Sequence, residues 1–274
     1  MNTEALISST PDGTRYEDRG RRDDSYPIIL IHGVGLDHRM WDAQAAALAG
    51  DQRVLRYDLL GHGDTPPSAE PEIGIEDFSA QLLGVLDACD VRRAIIVGFS
   101  LGGLIAQRFA ADHPNRLAGI VLMSTVYCRT ADELTGVRQR LALTEQQGVG
   151  AIIDAAMARW FDTAFVRDHA QAVAEVRTRL ETNNEQGYLA GYRVFASADQ
   201  ANGRILRAIN CPALIITGTD DPGSTPAIAR RMAADHPSSE LVLLEGLRHM
   251  VTLEAPETIT DLIATFAKRI EGPG

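Results

Sequence analysis

The 274 residues predict an α/β fold: a mostly parallel, eight-stranded sheet flanked by helices, with an all-helical segment inserted into it. Three observations carry this. Short apolar runs alternate with segments of helical periodicity through the first half, the mark of βαβ units with right-handed crossovers. From residue 126 to 200 no such run occurs and helical periodicity takes over. The alternation then returns at Ala213-Leu214-Ile215-Ile216-Thr217 and Leu241-Val242-Leu243-Leu244. The expected division is 1–125 and 201–274 for the two parts of the core and 126–200 for a helical cap.

The elements follow in order. Residues 5–9, the turn Pro11-Asp12-Gly13 and residues 14–18 read as an opening hairpin. Ile28-Ile29-Leu30-Ile31, Ala94-Ile95-Ile96-Val97 and Gly119-Ile120-Val121-Leu122-Met123 suit strands covered on both faces. Val54-Leu55-Arg56-Tyr57 is the least clean of the set, because an arginine interrupts it. Phe78, Leu82, Val85, Leu86 and Cys89 recur at helical spacing, as do Leu104, Ile105 and Phe109 before Pro114 ends that helix. Within the insertion, 138–147, 151–161, 164–180 and 185–196 read as helices. Thr225 is placed to N-cap a helix with Pro226 at its first position. Pro256 opens the last helix, with Ile259, Leu262, Ile263, Phe266 and Ile270 on one face.

Composition excludes several classes of function. Lys and Arg number 26 against 37 Asp and Glu, a net charge of −11. Such a chain repels phosphate backbones and anionic bilayers, so neither nucleic acid nor membrane is expected as a partner. Cys89, Cys128 and Cys211 are far apart and form no CxxC, which leaves no zinc knuckle or disulfide framework. Met1 to Gly20 lacks an apolar signal region, so a cytoplasmic protein is expected. No H-E-x-x-H, G-x-G-x-x-G or G-x-x-x-x-G-K is present, and no metal or cofactor is expected. Oligomeric state stays open, a homo-oligomer included.

Chemistry enters at Gly98-Phe99-Ser100-Leu101-Gly102, between the strand ending at Val97 and the following helix. G-x-S-x-G in a strand–turn–helix setting is a nucleophile elbow. The tight turn lifts the Ser100 hydroxyl above the sheet and aims the Leu101 N–H, at a helix start, toward a developing anion. A serine needs a base. His249, just past the last strand, lies on the rim where parallel strands end. Asp221, in Gly218-Thr219-Asp220-Asp221-Pro222, is expected to orient that histidine, with Asp220 as the neighbouring alternative. His32-Gly33-Val34-Gly35 follows the first buried strand, and the Val34 N–H is the candidate second oxyanion donor.

These motifs, with Asp58-Leu59-Leu60-Gly61-His62-Gly63 and Arg248-His249-Met250, resemble the α/β-hydrolase superfamily over about residues 13–270. The resemblance implies the α/β-hydrolase fold and the order Ser100, Asp221, His249, and it favours Asp221 over Asp220. Most relatives place glycine before the histidine, where this chain has Arg248. Gly33 to Trp41 and Arg159-Trp160-Phe161 resemble segments of 3-oxoadipate enol-lactonases and related esterases. That implies cleavage of a small ester or lactone through an acyl-serine. A C–C bond hydrolase, a cofactor-free perhydrolase or haloperoxidase-like enzyme, and, distantly, a non-enzymatic ligand-binding module are the alternatives. Serine at position 100 argues against dehalogenases and epoxide hydrolases, which need a carboxylate there. Trp160, Phe161 and Phe165 are expected to line the pocket or to pack the cap against itself. Arg39, Arg159 and Arg248 are the candidate cations for a substrate carboxylate.

Overall fold

Ile28, Ile29, Leu30 and Ile31 are wholly buried, as is every residue of the two strands to one side of them, so this sheet is covered on both faces at its centre. The computed structural model describes residues 5–23, 25–70 and 72–272. Its strands are β1 (Leu6–Ser9), β2 (Arg15–Gly20), β3 (Ile28–Ile31), β4 (Arg53–Tyr57), β5 (Ala94–Phe99), β6 (Leu117–Met123), β7 (Ala213–Gly218) and β8 (Ser239–Leu244). They form one eight-stranded sheet in the order β1-β2-β4-β3-β5-β6-β7-β8. The two pairings that involve β2 are antiparallel and the rest are parallel. The arginine that interrupts the β4 pattern has a partner in the neighbouring strand. Arg56 lies opposite Glu17 in the β2–β4 ladder and donates to its Oε2 at 2.8 Å.

The core helices are α1 (Asp42–Leu48), α2 (Ile75–Ala88) and α3 (Leu101–Asp112), then α9 (Pro226–Asp235), α10 (Val251–Glu254) and α11 (Pro256–Glu271) after the insertion. Thr225 caps α9 as its sequence predicts, with Oγ1 accepting the Ile228 N–H and Pro226 in the first turn. The short helix α1 has no counterpart in the sequence reading. Among the described residues no helix is long and apolar enough to cross a membrane.

Between β6 and β7 lie α4 (Ala131–Gln147), α5 (Ile153–Trp160), α6 (Thr163–Asp168), α7 (Ala170–Glu181) and α8 (Glu185–Asn202). α4 starts earlier than its apolar periodicity suggests. A capping box sets that start: Thr130 N–H donates to Glu133 Oε2 at 2.7 Å and Glu133 N–H to Thr130 Oγ1 at 3.2 Å. The stretch 164–180, read as one helix, is two. His169 leaves helical geometry at φ −127° and ψ 40°, and Phe165 stacks both on it (4.4 Å) and on Phe161 (5.4 Å). α8 runs past residue 196 to Asn202, whose side-chain amide donates to Leu104 O at 3.2 Å.

The cap is seated on the core by small residues. Gly187 in α8 lies so close to the Gly61 backbone that a β-carbon there would stand 2.2 Å from Gly61 O. One turn on, a β-carbon at Gly191 would meet the His62 ring at 3.0 Å. Asn183 adds a side-chain donor to Gly35 O at 2.8 Å. Gly187→Ala is expected to destabilise the protein by about 1–3 kcal/mol, the usual cost of forcing a methyl into a packed contact. Gly84→Ala in α2, where a β-carbon meets nothing within 4 Å, is expected to gain about 0.5–1 kcal/mol through helix propensity. Urea melts of the two variants check the opposite signs.

Candidate active site

The turn from β5 into α3 is made by one residue. Ser100 has φ 53° and ψ −113°, a strained conformation for a non-glycine residue. Backbone packing leaves no room for side chains beside it. A β-carbon on Gly98 would lie 2.2 Å from Gly102 O, and one on Gly102 would lie 2.4 Å from Ile31 O. The strain is held by ordinary bonds: Ser100 N–H donates to Met123 O at 3.0 Å and Thr125 Oγ1 to Ser100 O at 2.6 Å. Leu101 is the first residue of α3, so its N–H has no acceptor within the helix.

His249 follows β8, and its Nδ1 lies 2.7 Å from Asp221 Oδ2. Asp221 is itself fixed, for Oδ1 accepts the N–H groups of Gly223 (2.8 Å) and Ser224 (3.0 Å). Burial opposes the Asp221 charge, but the His249 ring and these donors outweigh it and hold the carboxyl below its usual range. With Nδ1–H given to a carboxylate, Nε2 is left as the basic lone pair. Asp220 is exposed and, among the described residues, its side chain accepts only from Thr219, so the aspartate beside His249 is Asp221. Phe99 and Trp160 flank the imidazole at 4.9 and 5.9 Å between ring centres.

The loop after β3 is fixed from behind. His32 is fully buried; its Nδ1 lies 2.8 Å from Gly33 O, and its Nε2 accepts the Leu59 N–H at 2.9 Å. Burial lowers its pKa, which keeps the ring neutral and this tautomer in place. Asp58, on the next strand's loop, accepts His38 N–H and ring nitrogen (2.8 and 2.7 Å) and Asp64 N–H (2.9 Å). It anchors the Asp58–Gly63 segment below the cap.

Val34, Ser100, Asp221, His249, Arg159 and Trp160 line one cavity of about 290 Å³ between core and cap. Sequence reasoning missed Arg140 from α4 and Tyr188 and Tyr192 from α8, which share its wall. Arg140 Nε donates to Tyr192 Oη at 3.1 Å. Neither Arg140 nor Arg159 makes an ion pair among the described residues. Burial, then the Arg140 charge, depress the Arg159 pKa, the state of a cation that lacks its counter-ion.

Four of the residues expected at the pocket, Phe161, Phe165, Arg39 and Arg248, stand elsewhere. Phe161 is buried against Phe165 inside the cap. Arg39 is bound to Asp37 at 2.5 Å on an exposed turn. Arg248 turns its guanidinium to the end of α5, away from the cavity. Among the described residues no three His, Cys, Asp or Glu side chains gather to hold a metal ion.

Behind the His249 loop, Glu254 Oε2 accepts the Arg248 N–H at 3.1 Å, while Oε1 is buried without a partner. Burial, with Asp162 and Asp221 adding like charge, pushes this carboxyl up to about 7. The unfolded chain releases that proton in the ordinary glutamate range. Folded stability is therefore unpenalised below that range and falls as pH rises through about 7. Glu254→Gln keeps an acceptor and removes the titration. Its Tm relative to the parent should become more favourable from pH 5 to pH 8; a constant difference would overturn this account.

The sequence profile of the alpha/beta hydrolase fold matches residues 26–256. The chain is 30% identical to (E)-2-((N-methylformamido)methylene)succinate hydrolase of Acinetobacter baylyi, over 88% of this chain and 89% of that one. It is 27% identical to 3-oxoadipate enol-lactonase 2 of the same organism, over 88% of each. The crystal structure of the enol-lactonase from Burkholderia xenovorans superimposes with a TM-score of 0.81 at 29% identity, over 95% of this chain and 99% of that one. The elbow, the sheet order and these matches agree: the chain belongs to the alpha/beta hydrolase fold family.

Proposed function

We propose that this hydrolase is a serine hydrolase that cleaves a small carboxylic ester or lactone bearing a second, free carboxylate. One observation carries the reading. The strained Ser100 and the Asp221–His249 pair line the same small cavity as Arg159, a half-buried guanidinium with no ion-pair partner among the described residues. The relatives' names support the second half, since 3-oxoadipate and the substituted succinate are both dicarboxylates.

In this reading the Ser100 hydroxyl attacks the substrate carbonyl while His249 Nε2 takes its proton. Asp221 holds the ring and stabilises the imidazolium. The oxyanion is received by the N–H groups of Val34 and Leu101. Collapse expels the alcohol or enol, protonated by His249. Water, activated by the same imidazole, then releases the acid and restores Ser100. The carboxylate that does not react binds Arg159, with Arg140 beside it, and so sets which end of the substrate meets the serine.

Ser100→Ala should lower kcat by several orders of magnitude with an unchanged Tm, and Asp221→Asn by about 10³–10⁴-fold. A fluorophosphonate that labels a serine other than Ser100 would refute the nucleophile. For charge recognition, Arg159→Ala should cost roughly 10- to 100-fold in kcat/KM on a carboxylate-bearing lactone and leave its methyl ester nearly unchanged. Equal losses on acid and ester would reject the carboxylate and leave a general esterase.

A further inference from the structure

The loop that carries His249 is fastened to the cap as well as to the core. Arg248 Nη1 donates to Ala158 O at 2.6 Å and to Phe161 O at 3.3 Å, carbonyls at the C-terminal end of α5. A helix end leaves such carbonyls without acceptable partners, and its dipole favours a cation there. Two residues on, Met250 N–H donates to Trp160 O at 3.4 Å. On the core side Glu254 Oε2 holds the Arg248 backbone N–H at 3.1 Å. Trp160 lies between these fastenings, nearly buried. Its indole stacks on the His249 imidazole, with ring centres 5.9 Å apart and planes at 29°.

We propose that Arg248 is a positioning residue that acts through the cap: its hold on the end of α5 keeps the Trp160 ring over His249. The inference rests on the serine-hydrolase reading of the site. In that reaction the imidazole becomes a cation only as it takes the Ser100 proton. The face of an indole attracts a cation within about 6 Å. The stack therefore favours the charged, transition-state form of the base over its neutral ground state, and stabilisation of that kind accelerates a reaction. A cap that lifts carries Trp160 away with α5. The base is at full strength only under a seated cap, where water is also excluded.

The test uses the full chain. Trp41 and Trp160 are its two tryptophans, so Trp41→Phe leaves Trp160 as the sole indole reporter. In that background Trp160 emission should be that of a buried ring and should be shielded from quenching by added acrylamide. Arg248→Ala should shift the emission to the red, open the indole to acrylamide quenching and lower kcat roughly 10- to 100-fold, with KM less affected. Arg248→Lys keeps one donor for the α5 carbonyls and should restore part of each signal. Because Trp41 is fully buried, the same readings can be taken as differences between each variant and its Trp160→Leu counterpart. A fall in kcat with emission and quenching unchanged would overturn the proposal, as would kcat within roughly twofold of the parent. Ser100→Ala with parental turnover would instead sink the serine-hydrolase reading, and the emission test, which needs no substrate, would still judge the clasp.

Discussion

Everything at the rim of this sheet depends on a backbone contact between three glycine-spaced segments. β5 turns into α3 within one residue, and the turn closes only because Gly98 faces Gly102 and Gly102 faces the carbonyl of Ile31. A side chain at either glycine would collide with backbone, so strand and helix would have to part. The strain that results sits on Ser100, at φ 53°. The β3–β5 and β5–β6 ladders and the Thr125 bond to Ser100 O offset it. A serine forced into this geometry is exposed to the cavity, its neighbour's N–H opens a helix, and the β3 loop with Val34 stands alongside. On the proposed reading, local strain here is the means by which the Ser100 hydroxyl and the Leu101 N–H of the elbow are brought, beside the Val34 loop, within reach of one substrate carbonyl.

The parallel order of the sheet supplies the remaining groups. β3, β5, β7 and β8 end on the same side, so the loops after them deliver Val34, Ser100, Asp221 and His249 to one edge. Each is then fixed by bonds to its own surroundings. Gly223 and Ser224 hold Asp221, His32 holds the Val34 loop, and Glu254 holds the backbone before His249. Such supports use buried polar groups that would be costly if unpaired. Glu254 Oε1 is one that is unpaired, and its carboxyl titrates abnormally as a result.

The core was legible in sequence because its signals are local. Short runs rich in Ile, Val and Leu between turn residues mark the strands from their own composition, and the elbow states its own geometry through its glycines. The β4 strand read poorly because its arginine is neutralised by Glu17, a residue some forty positions earlier that only the antiparallel pairing brings opposite. The cap read less well for a related reason. Its helices are amphipathic, but the choice of wall depends on how they are seated. Gly187 and Gly191, four apart on α8, form the face that meets the core, and Tyr188 and Tyr192, rotated by one position, then point to the cavity. That pair of small and aromatic repeats was a usable signal. Arg140, on α4 in a segment without a motif, offered none. Arg39 and Arg248 were placed near the rim by sequence adjacency, and both find acceptors within hydrogen-bonding distance that the sequence does not announce.

Charge has the same two-level organisation. Across the fold the arginines are matched to carboxylates: Arg53 to Asp18, Arg204 and Arg207 to Asp235, Arg231 to Glu133. With eleven negative charges in excess, the chain has carboxylates to spare, and Asp132, Glu133 and Asp221 stand in the same cavity wall, yet among the described residues neither Arg140 nor Arg159 is ion-paired to one of them. A desolvated guanidinium without a counter-ion is unfavourable, and its own depressed pKa registers the cost. On the proposed reading, an anion that enters the cavity recovers this cost. An approaching anion meets a repulsive field from the whole surface, but that field is screened beyond about 8 Å at physiological ionic strength. Its fate is therefore decided in the last few ångströms, by two arginines carried on cap helices. On the proposed reading, the core performs the same acyl transfer on any carbonyl presented to Ser100, and the cap decides which carbonyl is presented.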